Sequence, residues 1–219
     1  MNSSFRSTIS NKFYMQVNIM KFFFMFLLTL CSLNMFSQTA DEYYFKGSNK
    51  FDNKDYKGSI ADYTKAIELK PDFGEAYIFR GAAKFRLEDY RGAIVDFTKA
   101  IEFKPNEAFI YYNRGLSNER LNKLEDSKID YTKAIELKSN YADAYTNRGN
   151  IKFKLKDYKG SIADYTKSIE LISNDGSIYL NRGLAKFYNG DKNGGCLDWS
   201  KAGELGEENV YDLIKKYCN

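Results

Sequence analysis

Apolar residues return along this chain at the spacing of a helix surface. In residues 90–103 they lie three, four or seven positions apart, at Ala93, Ile94, Phe97, Ala100 and Ile101. This spacing places them on one face of a helix. Residues 75–87 carry a second apolar stretch, and Glu88 and Asp89 separate the two. The pattern predicts two helices joined by a short turn.

This pair of stretches returns five times, each copy 34 residues after the last. Four rows of residues keep the register. The glycine row is Gly47, Gly81, Gly115, Gly149 and Gly183, and the aromatic row is Tyr63, Phe97, Tyr131, Tyr165 and Trp199. The small row is Ala66, Ala100, Ala134, Ser168 and Ala202, and the acidic row is Asp62, Asp96, Asp130, Asp164 and Asp198. Five copies in one register predict a helical repeat protein.

The glycine row falls inside the first helix of each copy, where glycine costs about 1 kcal/mol relative to alanine. We expect a close approach of two helices to compensate, with the aromatic residue of the same copy lying over the glycine, as Phe97 would over Gly81. Pro71 and Pro105 follow the second helices of the first two copies, where a proline ends a helix without breaking it.

These rows resemble the tetratricopeptide repeat family, whose unit of 34 residues is a helix–turn–helix. Segments such as Tyr77 to Gly81, with an arginine before the glycine, are a common variant of its pattern. The resemblance implies an all-α, right-handed superhelical solenoid of five repeats, at 40–73, 74–107, 108–141, 142–175 and 176–209. The fifth copy departs from the pattern at 192–196, so we expect a looser turn there.

Residues 210–219 are expected to form a capping helix, because Val210, Leu213, Ile214 and Tyr217 lie at helical spacing. A terminal repeat needs such a cover, with its polar side facing water.

Residues 1–38 read as a signal peptide with an N-terminal extension. Lys21 precedes an apolar run shorter than the roughly 20 residues that span a membrane, and small residues follow near Ser37. Met1, Met15 and Met20 are alternative starts. We therefore expect an exported protein, in the periplasm or cell envelope of a bacterium or secreted from it. Cys31 lies in a segment similar to a lipoprotein box, so lipidation at Cys31 is a second interpretation.

Composition narrows the function. The chain has 33 basic and 29 acidic residues, and the first 38 residues hold three of the basic ones and none of the acidic ones. The rest of the chain is therefore almost neutral. Nucleic acid is not an expected partner of a chain with so little net charge. There is no histidine, which excludes histidine triads and histidine metal ligands. No catalytic residue, cofactor or metal site is predicted. The carboxylates expected to face inward are scattered, at Asp41, Asp52, Glu75, Glu119 and Asp143.

The resemblance also implies where a ligand binds, since certain first-helix positions of the family line a concave groove. The predicted groove residues are Tyr44, Phe45, Phe51, Ile78, Phe79, Phe85, Arg86, Tyr112, Asn113, Leu116, Asn147, Asn150, Phe153 and Asn181. Aromatic anchors followed by asparagines suit a peptide with apolar side chains and an exposed backbone. The alternative is that several of these aromatics pack between repeats.

A row of arginines, Arg80, Arg114, Arg148 and Arg182, has two interpretations. It either binds an acidic ligand or pairs with the acidic row, and pairing is favoured because every repeat supplies both signs. A subset of the family binds chaperone C-terminal carboxylates through a clamp of lysine, asparagine and arginine. In the three possible registers, the clamp's lysine and asparagine are replaced by Tyr44 and Ser48, by Ile78 and Ala82, or by Tyr112 and Leu116. The clamp is therefore absent.

Cys196 and Cys218 are the remaining cysteines, and an antiparallel arrangement about Gly206 would bring them to one end. A disulfide is predicted between them in an oxidising compartment. Taken together, the sequence predicts a non-enzymatic scaffold for protein–protein interaction that binds a peptide or protein segment in its groove. The alternative is a lipid-anchored structural component of an envelope assembly.

Overall fold

The computed structural model describes residue 20 and residues 39–218, and this range forms helices and turns without strands. The predicted signal peptide and the lipidation of Cys31 lie outside the described residues. The helices are α1 (39–52), α2 (Tyr56–Leu69), α3 (Gly74–Arg86), α4 (Tyr90–Phe103), α5 (Ala108–Arg120), α6 (Leu124–Leu137), α7 (Ala142–Lys154), α8 (Tyr158–Leu171), α9 (Gly176–Tyr188), α10 (Lys192–Glu204) and α11 (Val210–Tyr217). No described helix is both long enough and apolar enough to cross a bilayer.

The chain divides into two compact units, one ending at Ala76 and the other beginning at Tyr77, so the division falls inside α3. The first unit holds the hairpin of α1 and α2. In the second unit α5 packs on α6, α7 on α8, and α9 on α10. Each hairpin also packs on the next, through α4 with α5, α6 with α7 and α8 with α9. This is the serial stacking that the repeated apolar faces require.

Glycine and aromatic rows meet inside each hairpin, as predicted. A Cβ placed on Gly115 would lie 2.8 Å from the Tyr131 ring, and one on Gly149 would lie 2.9 Å from Tyr165. All five aromatic residues are almost completely buried. The glycine therefore makes room for a ring that no other residue would admit without displacement.

The turns between the paired helices are built alike. Asp89 and Asp157 cap α4 and α8 by accepting the backbone N–H three residues on, from Gly92 and Gly160. The residue before each cap has a positive φ, at Lys54, Glu88, Asn122, Lys156 and Gly190. A left-handed residue is the usual end of a helix at this position.

The prediction of a looser turn in the fifth copy is wrong. Asp191 accepts from the Gly194 N–H at 2.8 Å and donates its own N–H to the Lys186 carbonyl at 2.9 Å. Asp89 makes the same pair of bonds in the second copy, to Gly92 and Lys84. The altered sequence keeps the two residues that the turn uses, an aspartate and a glycine three residues later.

α11 covers the last hairpin. Val210 is fully buried against Trp199 and Ala202, and Leu213 and Ile214 pack on the same cluster. Cys196 of α10 and Cys218, which follows α11, form a disulfide with their Cα atoms 5.8 Å apart. It is the pair that the sequence indicated, and it joins the cap covalently to the repeat beneath it.

We expect Gly183→Ala to destabilise the protein by about 2 kcal/mol and Gly81→Ala by much less. At Gly183 the new methyl group would meet Trp199 at 2.6 Å and the Gly195 carbonyl oxygen at 3.0 Å, and that backbone cannot move aside. At Gly81 the nearest atom is on the Phe97 ring at 3.0 Å. Chemical denaturation of both variants measures the difference, and equal losses would contradict this account.

Removing the disulfide by Cys218→Ser is expected to lower the free energy of unfolding by about 2–4 kcal/mol, because the bond constrains the unfolded chain. The bridged cysteines are 22 residues apart. A reductant should lower the melting temperature of the wild type and leave that of Cys218→Ser unchanged. Mass spectrometry of the unreduced wild type that finds two free thiols would refute the bond.

Candidate ligand groove on the first helices

Three first helices of the second unit, α5, α7 and α9, line an open cavity of about 170 Å³ together with one residue of α8. Its lining is Glu119, Asn150, Phe153, Lys154, Tyr165, Asn181 and Leu184. Of the predicted groove residues, the fold thus brings Asn150, Phe153 and Asn181 to one place. We call this cavity the A-helix pocket.

Phenols of the aromatic row hold two polar side chains of the pocket, Asn150 and Glu119. The Tyr165 hydroxyl donates to Asn150 Oδ1 at 2.6 Å, and the Tyr131 hydroxyl donates to Glu119 Oε2 at 3.0 Å. Burial raises the pKa of Tyr165 to about 12. Burial, and then the charge of Glu119, also raise the pKa of Tyr131. Both phenols therefore stay protonated and serve as fixed donors.

Charge in the pocket is balanced. Lys154 Nζ lies 2.7 Å from Glu119 Oε1, so one carboxylate and one ammonium neutralise each other across neighbouring repeats. The Lys154 side chain is 49% exposed, which makes this ion pair a rim feature of small net energy. The pocket therefore has no electrostatic preference for a charged ligand.

Two amides of the pocket keep hydrogen-bonding capacity. Asn150 uses its Oδ1 on Tyr165, which leaves its Nδ2 group as a donor. Asn181 makes no side-chain hydrogen bond among the described residues. An amide that offers both a donor and an acceptor matches the C=O and N–H of a peptide backbone.

The apolar part of the pocket is Phe153 with Leu184, and an aromatic cluster continues from it. The Phe153 ring centre lies 5.4 Å from that of Tyr158 and 5.7 Å from that of Tyr188. Tyr158 and Tyr188 stack at 5.6 Å, and Tyr188 is 59% exposed. This end of the pocket is a partly open aromatic surface.

Further predicted groove residues lie on α5 and α7 without entering the pocket. Asn147 Nδ2 donates to the Tyr112 hydroxyl at 3.1 Å, and the Tyr112 ring packs 4.8 Å from Tyr141. Asn113 Nδ2 donates to the Phe109 carbonyl within its own helix. Leu116 is half-buried. The side-chain amides of Asn113 and Asn147 therefore donate to groups of the protein itself. The sequence pattern did not indicate these hydrogen bonds.

One predicted groove residue belongs to the core. Ile78 is 5% exposed and packs with Phe97 and Ile110, so its side chain is closed to a ligand. Phe79 and Phe85 are half-buried against the same cluster, whereas Arg86 is exposed. The apolar content of α3 thus serves packing between repeats more than binding.

In the first unit, Tyr44 and Phe51 are half-buried in aromatic contacts. Tyr44 packs 5.1 Å from Phe73, and Phe51 packs 5.3 Å from Tyr56. Phe45 is 64% exposed and touches Tyr44 by its edge at 5.5 Å. Phe45 is the predicted residue of this unit with the most free surface.

The arginine row pairs with the acidic row. Arg80, for example, binds Asp96 through both Nε and Nη2, at 2.9 and 2.7 Å. The same pairs are Arg114 with Asp130, Arg148 with Asp164, and Arg182 with Asp198. Three of these arginines also reach the preceding repeat, as Arg148 does to Thr132 Oγ1 at 3.1 Å. Because each guanidinium is committed inside the protein, this row is structural.

The third repeat differs in the second partner of its aspartate. Lys84, Lys152 and Lys186 bind the aspartates of the other three repeats of this unit at 2.8–2.9 Å. In the third repeat Asn118 donates its Nδ2 to Asp130 at 2.9 Å. Burial raises the pKa of Asp130, although Arg114 and Asn118 oppose the shift.

Comparison with known families decides the classification. Models described as "Tetratricopeptide repeat" match residues 41–73, 74–107, 110–141 and 142–175. The chain belongs to the tetratricopeptide repeat family. No curated protein matches the chain in sequence. Tetratricopeptide repeat proteins are in general non-enzymatic scaffolds for protein–protein interaction, and the partner of this chain is accordingly a protein or a peptide.

Solved tetratricopeptide repeat structures share the fold. A MamA crystal structure has a TM-score of 0.74 at 24% identity, covering 80% of this chain and 95% of that one. The structure of YrrB, titled "a TPR protein with an unusual peptide-binding site", has a TM-score of 0.74 at 18% identity. The match covers 83% of this chain and 97% of YrrB. The first repeat domain of Spaghetti (RPAP3), bound to the HSP90 peptide SRMEEVD, has a TM-score of 0.53 at 30% identity. The match covers 54% of this chain and 94% of that domain. The predicted all-α fold of consecutively packed helix–turn–helix repeats is confirmed.

Sequence reasoning missed part of the A-helix pocket. Lys154, Tyr165 and Leu184 were not among the predicted groove residues. Tyr165 belongs to the aromatic row, whose register predicted burial, and only its hydroxyl reaches Asn150. Lys154 lies 35 residues after Glu119, one more than the repeat length, and this offset was the available signal for a contact between repeats.

For this tetratricopeptide repeat protein we expect Asn118→Lys to raise the free energy of unfolding by about 1–2 kcal/mol near neutral pH. The lysine would give Asp130 the second cation that the neighbouring repeats have. It would also remove the buried Asn118 Oδ1, which has no hydrogen-bond partner. Urea denaturation measures the gain. The control is Lys152→Asn, which should cost a similar amount in the fourth repeat.

The gain should depend on pH. A raised pKa means that folded Asp130 holds its proton more tightly than the unfolded chain does. Its stabilising contribution is therefore present at acidic pH and lost as the pH rises through the folded pKa. A lysine at residue 118 lowers that pKa, so the gain should be smaller at about pH 4 than at about pH 7. A gain that is larger in acid would refute the assignment of the shift to Asp130.

Proposed function

We propose that this scaffold binds an extended peptide segment of its partner along α5, α7 and α9, with one uncharged apolar side chain of the peptide in the A-helix pocket. The observation that carries the proposal is the combination, in one open cavity, of an apolar wall and uncommitted amides. Phe153 and Leu184 form the wall, and Asn150 and Asn181 offer the amides.

The size and neutrality of the pocket support a single uncharged anchor. A cavity of about 170 Å³ is smaller than a typical pocket for a small-molecule ligand, and Lys154 and Glu119 cancel each other at its rim. Binding energy at such interfaces concentrates in a few buried side chains surrounded by weaker contacts. The asparagines would then hold the backbone of the segment on either side of the anchor.

Two structural neighbours support the peptide as the class of ligand. The titles of the YrrB and Spaghetti structures describe a peptide-binding site and a bound peptide. The peptide in the Spaghetti structure ends in acidic residues. The sequence predicts no lysine and arginine clamp for such a tail, and the arginine row is engaged by the aspartates of the same repeats. We therefore expect a different peptide chemistry here.

Export is part of the proposal. The Cys196–Cys218 disulfide supports it, because structural disulfides persist in oxidising compartments and are rare in the cytosol. The signal-like segment before residue 38 supplies the route. Fractionation of cells that express the full chain tests this proposal. A protein that stays in the cytosol with uncleaved residues 1–38 would end it.

The second candidate is a lipid-anchored component of an envelope assembly, favoured by Cys31 in its lipoprotein-like segment. Replacing Cys31 with serine separates the candidates. Membrane association that is lost in Cys31→Ser identifies the anchored form, and unchanged partition identifies the free form.

Peptide binding is tested by selecting a displayed random-peptide library against the full chain and measuring the affinity of a selected synthetic peptide. We expect Phe153→Ala to weaken binding about 30-fold, the loss typical of a hot-spot residue. Leu184→Ala should weaken it in the same direction. Both changes leave the buried aromatic row in place.

The matched control is Leu197→Ala, on the second helix α10. Leu197 is 73% exposed and lies outside the A-helix pocket, so its removal should leave the affinity unchanged. Unchanged affinity in Phe153→Ala and Leu184→Ala would place the site elsewhere. Equal weakening by Leu197→Ala would point to a nonspecific apolar contact.

A further inference from the structure

A second cavity lies at the third repeat, between α4, α5 and α6, with a volume of about 240 Å³. It is separate from the A-helix pocket and shares no lining residue with it. Asn118 and Asp130, the pair that sets the third repeat apart, both line it. The cavity thus adjoins the place where the three other repeats of the second unit hold a lysine ammonium.

Those three repeats define what the position accepts. Lys84 Nζ lies 2.8 Å from Asp96 Oδ2, and the lysines of the fourth and fifth repeats make the same contact. In each case an arginine binds the same aspartate, as Arg80 does. The aspartate therefore accommodates a guanidinium and a primary ammonium together.

In the third repeat the Asn118 amide donates to the aspartate in place of the ammonium, and its own oxygen is left without a donor. Asn118 is 4% exposed, and its Oδ1 has no hydrogen-bond partner among the described residues. The orientation of this amide is fixed, because its Nδ2 must face Asp130 Oδ2 to donate. A buried acceptor without a donor is costly, and a ligand with N–H groups would relieve that cost.

A further carboxylate adds to the attraction for a cation. Asp126 lines the cavity, whereas Gly92, Gly160 and Gly194 take its place in neighbouring repeats. Its charge helps to raise the pKa of Asp130, so the two carboxylates repel each other across the site. A cation between them would relieve that repulsion.

Lys123 also lines the cavity and is the internal competitor for this role. It replaces the capping aspartate of the other turns and makes no ion pair among the described residues. Its side chain lies at an exposed position. Its ammonium balances the overall charge of the turn without contacting Asp126 or Asp130.

The remaining walls favour a cation with an apolar stem. Ile94 and Ile129 line the cavity, and Ile129 is 63% exposed at its edge. A bare metal ion would gain nothing from these side chains. A lysine side chain would lay its methylene groups on them and place its ammonium inside, as long cationic side chains do at apolar surfaces.

We propose that the third repeat carries a binding site for a primary ammonium group, of the kind presented by a lysine side chain of a partner protein. The ammonium enters the cavity beside the Asn118 amide, which binds Asp130 Oδ2 where Lys84, Lys152 and Lys186 bind the aspartates of the neighbouring repeats. It donates to Asp130 and to Asn118 Oδ1, and Asp126 adds a second negative charge. Ile94 and Ile129 receive the apolar stem.

The test is a titration of the full isotope-labelled chain with Nα-acetyl-lysine methylamide, followed by NMR at the Asn118 side-chain amide. We expect a saturable shift there. The norleucine analogue, which has the stem without the ammonium, should give none. A shift of equal size with norleucine, or none with the lysine compound, would overturn the proposal, and so would an equal response to sodium or calcium chloride.

Three variants sharpen the titration. Asn118→Lys supplies the ammonium internally and should abolish the response of the neighbouring amides while raising the melting temperature. Asp126→Asn should weaken binding about tenfold, since one charge-assisted contribution is lost. In Lys123→Ser we expect binding at least as strong as in the wild type. A response seen in Lys123→Ser and absent in the wild type would show that Lys123 fills the site, which would overturn the proposal.

Two further ligands distinguish a lysine of a protein partner from a free amine as the source of the ammonium. They are a short glycine peptide with one central lysine, and 1,4-diaminobutane. Tighter binding of the peptide assigns the site to lysine in a protein partner. Tighter binding of the diamine would overturn that assignment and identify a free amine as the ligand.

Discussion

The close approach of a glycine on the first helix to an aromatic ring on the second is the contact on which every repeat of this protein depends. The missing Cβ of Gly149 gives the Tyr165 ring its space, and the ring fills the gap between the two helices. The large buried area of the ring stabilises the hairpin, and this gain offsets the larger loss of backbone entropy that glycine undergoes on folding. Because the two residues stand in fixed rows, all hairpins acquire one geometry and can stack.

This contact also connects the core to the candidate site. A ring that packs on the glycine brings its hydroxyl to polar side chains of the first helix close to that glycine. Tyr165 there holds Asn150, and Tyr131 holds Glu119. Two polar side chains of the A-helix pocket are thus oriented by buried donors of raised pKa, which is how a rigid scaffold can hold side chains in place for binding. The core and the proposed binding surface thus share these tyrosines.

The buried ion pairs fix the distance between neighbouring repeats. A guanidinium such as that of Arg148 binds the aspartate of its own hairpin and the threonine of the preceding one. Leaving such a carboxylate without partners in the interior is costly, so the set persists in each repeat of the second unit. Where one partner is shorter, at Asn118, the interior opens into a cavity beside an unsatisfied acceptor.

A repeat therefore tolerates variation at the positions that face outward or toward a ligand, and little at the rows. The turn of the fifth copy illustrates the rule. Its residues differ from those of the other copies, yet Asp191 and Gly194 preserve the capping bond. The conformation of the turn depends on Asp191 and Gly194 and tolerates changes at the other residues of the turn.

Much of this fold was determined by the sequence alone. The period of 34 residues placed the helices of the second copy to within one residue, because a repeated apolar pattern has a single helical solution. The same rows predicted the contact of glycine with ring and the pairing of arginine with aspartate, since residues level with each other across an antiparallel hairpin must meet. The disulfide was predicted separately, from the antiparallel arrangement of the last two helices about Gly206.

Tertiary structure decided which side chains face the ligand side and which are buried. Ile78 and Asn150 both stand at first-helix positions expected to line the groove, yet Ile78 lies in the core and Asn150 lines the pocket. Contacts between neighbouring repeats, such as Lys154 with Glu119, depend on how the hairpins are rotated against each other. That rotation is the sum of many packing contacts, and no row of the sequence records it.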